Sequence, residues 1–164
     1  MAKTYGGVRE NGYKNITTQA KEKIMNVLSD IREQGFSRIT PFKIGGVEKR
    51  MTSFASENGI TLGSKDVYMS SASIAHATRD SRQAKGLAVS DKDLADFPSK
   101  RSKMALYYDT RSNNFTYTDG KTKYVVHPNY SIKMPNGRQK IVNFITASKI
   151  ENAQEFIMDK YKKI

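Results

Sequence analysis

The stretch MALYYDTRSNNFTYTDGKTKYVVH, residues 104–127, decides the fold expected for this chain. Within it, residues 104–109 and 115–118 alternate apolar and polar side chains on either side of a polar turn, a pattern typical of β-strands. The pair Asp119-Gly120 marks a second turn, which leads into the next strand. The stretch therefore predicts consecutive antiparallel strands.

The strand pattern continues toward the end of the chain. Pro128-Asn129 interrupts the third strand, residues 130–134 resume it, and the turn at residues 135–137 leads into a fourth strand at residues 141–146. Together these segments predict an antiparallel meander of about four strands. For the last 14 residues the apolar spacing fits a helix or an edge segment equally well.

Helices are predicted before the meander. Apolar spacing and capping signals place them at residues 17–35, about 47–57, 70–86 and 90–98. The first of them carries the apolar stripe Ala20, Ile24, Val27, Leu28 and Ile31. The first 15 residues contain three glycines and no apolar periodicity, so we expect a mobile arm there.

Helices followed by an antiparallel meander predict an α+β domain. In this class the helices cover one face of the sheet, and the other face can stay open to a ligand. A chain of 164 residues with 37% hydrophobic content suffices for one compact core with a small helical extension. We assign residues 1–62 to an N-terminal arm with accessory helices and residues 63–164 to the α+β domain.

The charge of the chain favours a polyanionic partner. With 28 Lys and Arg against 16 Asp and Glu, the net charge is +12, which favours nucleic acid first and an anionic membrane second. The excess is concentrated in residues 99–164, where 13 basic and 5 acidic side chains give +8. The strand-rich half is therefore the expected electrostatic footprint.

Residue usage argues against several chemistries and locations. The absence of Cys excludes disulfides, thiol nucleophiles and thiolate metal sites, and two His argue against an imidazole-rich metal site. No apolar run approaches the roughly 18 residues that span a bilayer, and the first residues lack the apolar core of a signal peptide. We expect no membrane association, no metal, no cofactor and a cytoplasmic location.

One face of the predicted helix at residues 70–86 carries candidate catalytic groups. His76 and Arg79 are three residues apart and therefore share that face. One interpretation gives His76 general acid or base work and lets Arg79 and Arg82 hold a phosphate. The other is a solvated helix face with an ordinary surface histidine.

The strands carry further candidates. Thr146 and Ser148 are two residues apart and point to the same side, where their hydroxyls can hydrogen-bond a phosphate oxygen. Threonine is also common in strands for its β-propensity alone. Tyr107 and Tyr117 are predicted to face outward and stack on bases, the alternative being that they pack in the core.

Four more residues complete the predicted site. Lys85, Lys123, Lys149 and His127 are candidate substrate-binding residues. His127, which precedes a proline in a strand, is also a reserve acid, although a half-buried packing role is more usual for such a histidine.

Several segments in this order carry a resemblance to a known superfamily. They are Ile74-Ala75-His76 followed by Arg79, the helix from Val89-Ser90 to Phe97-Pro98, the strand Lys123-Tyr124-Val125-Val126 and the closing strand at residues 142–147. Residues from about 66 to 164 resemble the phage-borne nuclease-like domains of the barnase, EndoU, colicin and RelE superfamily. Residues 1–62 lie outside the match.

The resemblance implies a barnase-like or RelE-like fold and a function. Such domains resemble metal-independent endoribonucleases of phage or toxin type, in which a ribose 2′-hydroxyl attacks the adjacent phosphorus to leave a cyclic phosphate. His76 would match the helix histidine, Arg79 the arginine after it, and Thr146 with Ser148 the polar positions of the last strand.

The same resemblance suggests partners. These would be tRNA or mRNA and an acidic immunity or antitoxin protein, in a bacterial or phage-infected cell or after delivery with a virion. The resemblance does not identify the second proton-transfer group: His127, Tyr107 or Lys149 would fill that role, or the domain has lost its activity. Two other functions stay open: a non-catalytic nucleic-acid-binding or virion-associated protein, and an inhibitor that contacts a host enzyme.

Overall fold

The helices and strands alternate along the first half of the chain and give way to strands in the second. The computed structural model describes the backbone of residues 2–79, 83, 85, 86, 88–152 and 154–164, and within these the side chains from residue 16 onward. The described α-helices are α1 (Ala2–Gln34), α2 (Lys49–Glu57), α3 (Ser71–Thr78) and α4 (Asp91–Lys100). The described strands are β1 (Phe42–Gly46), β2 (Asp66–Met69), β3 (Ala105–Asp109), β4 (Asn114–Thr118), β5 (Thr122–Lys133), β6 (Gln139–Lys149) and β7 (Tyr161–Lys163).

All seven described strands form one mixed sheet in the order β1-β2-β6-β5-β4-β3-β7. The four strands β3 to β6 form the predicted antiparallel meander, so the α+β class is confirmed. Three strands extend it: β2 pairs in parallel with β6, β1 pairs with β2, and β7 pairs with β3. The meander is therefore the centre of a wider sheet.

The two faces of the sheet differ in what covers them. Because side chains alternate along a strand, Ile145 and Ala147 of β6 point to one face and Phe144 and Thr146 to the other. Ile145 and Ala147 pack in the main core with side chains of the four helices, and we call this side the helix face. The other side, which includes Phe144 and Thr146, we call the open face.

The main core does not divide at residue 62, where we placed a domain boundary. It contains Ile24 of α1 and Ile44 of β1 together with Leu94 of α4 and Tyr124 of β5. Residues before and after position 62 also share the sheet, because β1 pairs with β2. The N-terminal helices thus contribute to the same core as the meander.

For α1, the predicted apolar stripe and the predicted C-terminal end are both confirmed. The predicted stripe is buried or packed against the core, and Gly35 follows the helix with φ +85°, its N–H donating to the Ile31 carbonyl at 2.8 Å. The helix begins at Ala2, so it also includes residues for which we predicted a mobile arm.

The helix predicted at residues 70–86 is shorter in the structure. It ends at Thr78, and Arg79 has an extended conformation with ψ 156°. The Thr78 hydroxyl donates to the Ile74 carbonyl at 3.1 Å, and the Gln83 side-chain amide donates at 2.9 Å to the Thr78 carbonyl, one of the groups left open at the helix end. The predicted alignment of His76 with Arg79 on one continuous helix face is therefore wrong.

The last predicted helix begins as expected and ends later. The Ser90 hydroxyl accepts a hydrogen bond from the Asp93 N–H at 3.2 Å, the predicted N-cap. The helix then continues through Pro98 to Lys100, because Phe97 and Pro98 are both buried and this packing outweighs the hydrogen bond that proline cannot donate.

Candidate functional site

The candidate catalytic residues of α3 lie on the helix side of the molecule. His76 and Arg79 are exposed, while Ile74 and Ala77 of the same helix are buried in the main core against the helix face of the sheet. Arg82 lies outside the described residues. Lys85 is exposed in a turn beyond α3.

Thr146 and Ser148 lie on the opposite side of the sheet from α3. They alternate in β6 with Ile145 and Ala147, whose side chains pack on the helix face, and they face His127 and its neighbours on β5. The sheet thus separates the two hydroxyls from His76. The phosphate clamp predicted between the helix and the last strand is not brought together.

Tyr117 is a core residue, which corrects its predicted role in stacking on bases. Its side chain is 0% exposed, and its ring packs edge-on against Phe97 with centroids 5.6 Å apart. The hydroxyl donates to Glu48 Oε1 at 2.5 Å. The cause is the register of the meander, which sets Tyr117 opposite Leu106, a buried residue of the helix face.

Tyr107 and Lys123 do lie on the open face, and both have partners from the end of the chain. The ring of Tyr107 stacks on Phe156 with centroids 4.8 Å apart, and Lys123 Nζ is 2.8 Å from Glu155 Oε1. Lys149 alternates with Ser148 and therefore points to the other side, as predicted.

The structure brings together His127 and Thr146, two residues that the sequence assigned to different roles. Nε2 of His127 and the hydroxyl oxygen of Thr146 are 2.9 Å apart and share a hydrogen bond across β5 and β6. Beside this pair, Tyr130 stacks on Phe144 with ring centroids 4.7 Å apart and an interplanar angle of 15°. The ring of Tyr130 is also 6.4 Å from that of His127.

These four side chains, His127, Tyr130, Phe144 and Thr146, form what we call the aromatic site. A bulge in β5 between His127 and Tyr130, where Asn129 has φ 57°, returns both of these residues to the open face. The sequence predicts the Pro128-Asn129 interruption and the turn at residues 135–137, but Tyr130 is not among the predicted site residues. The signal for it is the register that this turn fixes, which sets Tyr130 opposite Val142.

The strands around the aromatic site carry a one-sided charge. Residues 120–149, which include β5 and β6, contain six cationic side chains and no Asp or Glu: Lys121, Lys123, Lys133, Arg138, Lys140 and Lys149. Acids from outside this range reach two of them: Lys123 pairs with Glu155, and Lys140 Nζ is 3.2 Å from Asp66 Oδ2 and 3.3 Å from the Tyr68 hydroxyl. These hydrogen bonds raise the pKa of Lys140, so it stays charged at neutral pH.

His127 is the titratable group at the centre of the aromatic site. Burial holds the pKa of its imidazole below the ordinary value of 6.5, because the charged form loses solvation. The ring is therefore neutral at pH 7. A neutral imidazole carries one ring proton: when Nε2 donates it to the Thr146 hydroxyl oxygen, the unprotonated Nδ1 keeps a free lone pair that is suited to general base work.

The depressed pKa of His127 predicts that stability falls as the pH drops below about 6.5. In this range the imidazole is protonated more readily in the unfolded chain than in the folded protein, so acid favours unfolding. Above pH 6.5 the ring is mainly neutral in both states and does not reduce stability. We expect the loss in urea midpoint between pH 7.5 and pH 5 to be smaller in His127→Asn than in the wild type.

The acidic groups with shifted pKa values do not interfere with this measurement. The pKa values of Asp66 and Asp109 lie below 3.8, so the stability that these carboxylates contribute is lost only at a pH lower than the range measured. The variant His76→Gln separates the contribution of the other histidine. An equal loss in His127→Asn and the wild type would contradict the assignment.

Comparisons with known proteins leave the resemblance as a prediction. No family model matches the chain, and neither the curated proteins nor the solved structures contain a significant match. Among the described residues, no group of three or more His, Asp or Glu side chains is arranged to hold a metal ion. In the same part of the chain, no helix is long and apolar enough to cross a membrane.

Proposed function

We propose that the open face of the sheet binds single-stranded RNA at the aromatic site. The observation that carries the proposal is the ring of Tyr130, which is 45% exposed while it stacks on Phe144. An exposed ring supported from behind is a platform for a base, and such stacking contributes about 1–3 kcal/mol per base. Proteins that bind single strands commonly combine platforms of this kind with cationic strands.

The charge of the β5–β6 hairpin supports the same function. Lys133 and Arg138 are exposed at its tip, and no acidic residue lies between positions 120 and 149. Such cations bind phosphates irrespective of sequence and release counterions as they do so. The proposed interface therefore combines phosphate contacts at the hairpin with base stacking on Tyr130.

Replacement of Tyr130 tests the proposal. We expect Tyr130→Ala to weaken binding of a labelled 12-nucleotide single-stranded RNA at least about 5-fold, because the stacking platform is lost. Fluorescence anisotropy at fixed salt measures the dissociation constant. The matched control is Phe36→Ala, which removes a ring of similar exposure, 47%, from the loop between α1 and β1.

Heparin distinguishes base stacking from general attraction to polyanions. It carries negative charge and no bases, so Tyr130→Ala is expected to leave heparin affinity within about two-fold of the wild type. If Tyr130→Ala and Phe36→Ala bind RNA equally well, the aromatic site is not the interface. If the wild type binds no RNA at low salt, the proposed function fails.

A second candidate function is RNA cleavage without a metal, favoured by the hydrogen bond between His127 and Thr146. A neutral imidazole at this place would take the proton of a ribose 2′-hydroxyl as its oxygen attacks the adjacent phosphorus. The new 2′ O–P bond forms as the P–O5′ bond breaks, and the 5′ oxygen takes a proton from water. The Thr146 hydroxyl and nearby lysines would stabilise the charge that develops on the phosphate.

A further inference from the structure

The C-terminal segment, residues 154–164, covers the half of the open face that lies away from the aromatic site. Lys123 Nζ is 2.8 Å and 3.0 Å from the two carboxylate oxygens of Glu155, and Phe156 stacks on Tyr107 at an angle of 24°. Thr116 belongs to the same face and is only 1% exposed. The segment therefore shields this half from solvent.

Both contacts have the chemistry of a bound nucleotide. The Glu155 carboxylate binds the Lys123 ammonium as a phosphate would, and the ring of Phe156 stacks on Tyr107 as a base would. The two groups belong to consecutive residues, Glu155 and Phe156, as the phosphate and base belong to one nucleotide. Lys123 and Tyr107 thus offer a nucleotide a cation for its phosphate and a ring for its base.

We propose that Lys123 and Tyr107 form a second nucleotide subsite, which Glu155 and Phe156 occupy in the free protein and single-stranded RNA takes over. This inference rests on the proposed function, since RNA must first bind the aromatic site. Lys123 and His127 lie on the same face of β5, about 13 Å apart at the usual rise of a strand. One short oligonucleotide can therefore reach both subsites.

We expect RNA to displace only the turn at the start of the C-terminal segment and to leave strand β7 in place. Strand β7 is held to β3 by backbone pairing, and Lys160 Nζ is 3.4 Å from Asp109 Oδ2. Upstream of β7, Ile157 is 75% exposed, and the turn of Glu155–Ile157 contacts Lys123 and Tyr107 of the sheet and Tyr161 of β7. The Tyr161 hydroxyl donates to Glu155 at 3.5 Å, and its ring lies 4.8 Å from that of Phe156. RNA would displace this turn and leave β7 in the sheet.

The decisive variant is Glu155→Gln in the full chain. Because it releases Lys123, we expect it to tighten binding of the 12-nucleotide RNA about 3- to 10-fold at low salt. One additional phosphate contact should also steepen the plot of log affinity against log salt by about 0.7. Glu151→Gln is the matched control, since it removes the same charge from an exposed position before the turn.

A second variant and a second measurement keep the result independent of folding defects. Phe156→Ala frees the ring of Tyr107, so we expect tighter binding with an unchanged salt slope. In the wild type, RNA should increase amide hydrogen exchange at residues 155–158, because the turn is displaced.

The outcomes separate this inference from the proposed function. If the wild type binds RNA while Glu155→Gln matches Glu151→Gln in affinity and slope, or exchange at residues 155–158 does not rise, the second subsite is refuted and the aromatic site stands. If neither the wild type nor any variant binds RNA, the proposed function fails, and the subsite fails with it.

Discussion

Tyr117→Ala is expected to lower the free energy of unfolding by about 3–5 kcal/mol, the usual cost of deleting a buried aromatic side chain. The ring is fully buried beneath the sheet, in contact with Phe97, and its hydroxyl bonds Glu48. Since small domains are stable by only about 5–15 kcal/mol, the loss should appear as a large shift in the urea midpoint. Far-ultraviolet circular dichroism measures it without the need for a tryptophan.

Tyr117→Phe separates the packing role of this residue from the ligand-binding role that the sequence suggested. The variant keeps the ring and removes the bond to the Glu48 carboxylate, so we expect a loss of about 1.5–3 kcal/mol. Its RNA affinity should equal that of the wild type, because the hydroxyl lies on the helix face. Weaker RNA binding at unchanged stability would return Tyr117 to the interface.

The two tyrosines illustrate what alternation in a sequence can and cannot decide. The pattern identifies strands β3 and β4 and states that neighbours point to opposite faces. Which set is buried depends on register: Tyr107 pairs with Thr116, whereas Tyr117 pairs with Leu106, so the two tyrosines lie on opposite faces. A register is fixed by turn geometry and by the core, and a slip of one residue exchanges the faces.

Elements stabilised by distant parts of the chain were poorly predicted: the parallel strand β2 was not predicted, and an edge segment was only one of two alternatives for the last 14 residues, where β7 lies. Strand β2 has four residues and is held by its parallel pairing with β6, where Val67 lies opposite Asn143. Strand β7 has three residues and is held by β3. Segments this short carry too little periodicity to indicate a strand, so only their partners define them. By contrast, the apolar stripe of α1 repeats often enough to predict a helix from the sequence alone.

The candidate site shows the same limit, because the contacts between its residues depend on distant parts of the chain. Charge and residue type indicated β5 and β6, where the structure places His127, Thr146 and Lys123 on the open face. The sequence linked Thr146 to His76 because it could not state which face of the sheet α3 covers. The structure links Thr146 to His127, 19 positions away in the chain, through a hairpin whose bulge no spacing rule reveals.

If the protein cleaves RNA, His127→Ala is expected to lower the cleavage rate about 10²- to 10⁴-fold, the contribution typical of a general base. Total bacterial RNA in EDTA should yield discrete fragments with 2′,3′-cyclic phosphate ends. An oligonucleotide with a 2′-deoxyribose at the cleaved position should stay intact, because it lacks the attacking hydroxyl. RNA that remains whole over a wide range of protein and salt concentrations would exclude cleavage by the isolated chain.

His76→Gln and the pH profile decide between the two histidines. A base on the open face makes the rate rise with pH and level off near neutrality, because the pKa of His127 lies below 6.5. In that case His76→Gln retains cleavage, since the sheet separates His76 from the aromatic site. If instead His76→Gln abolishes cleavage and His127→Ala does not, the catalytic group belongs to the helix side, as the sequence pattern first indicated. Either result assigns the reaction to one face of the sheet.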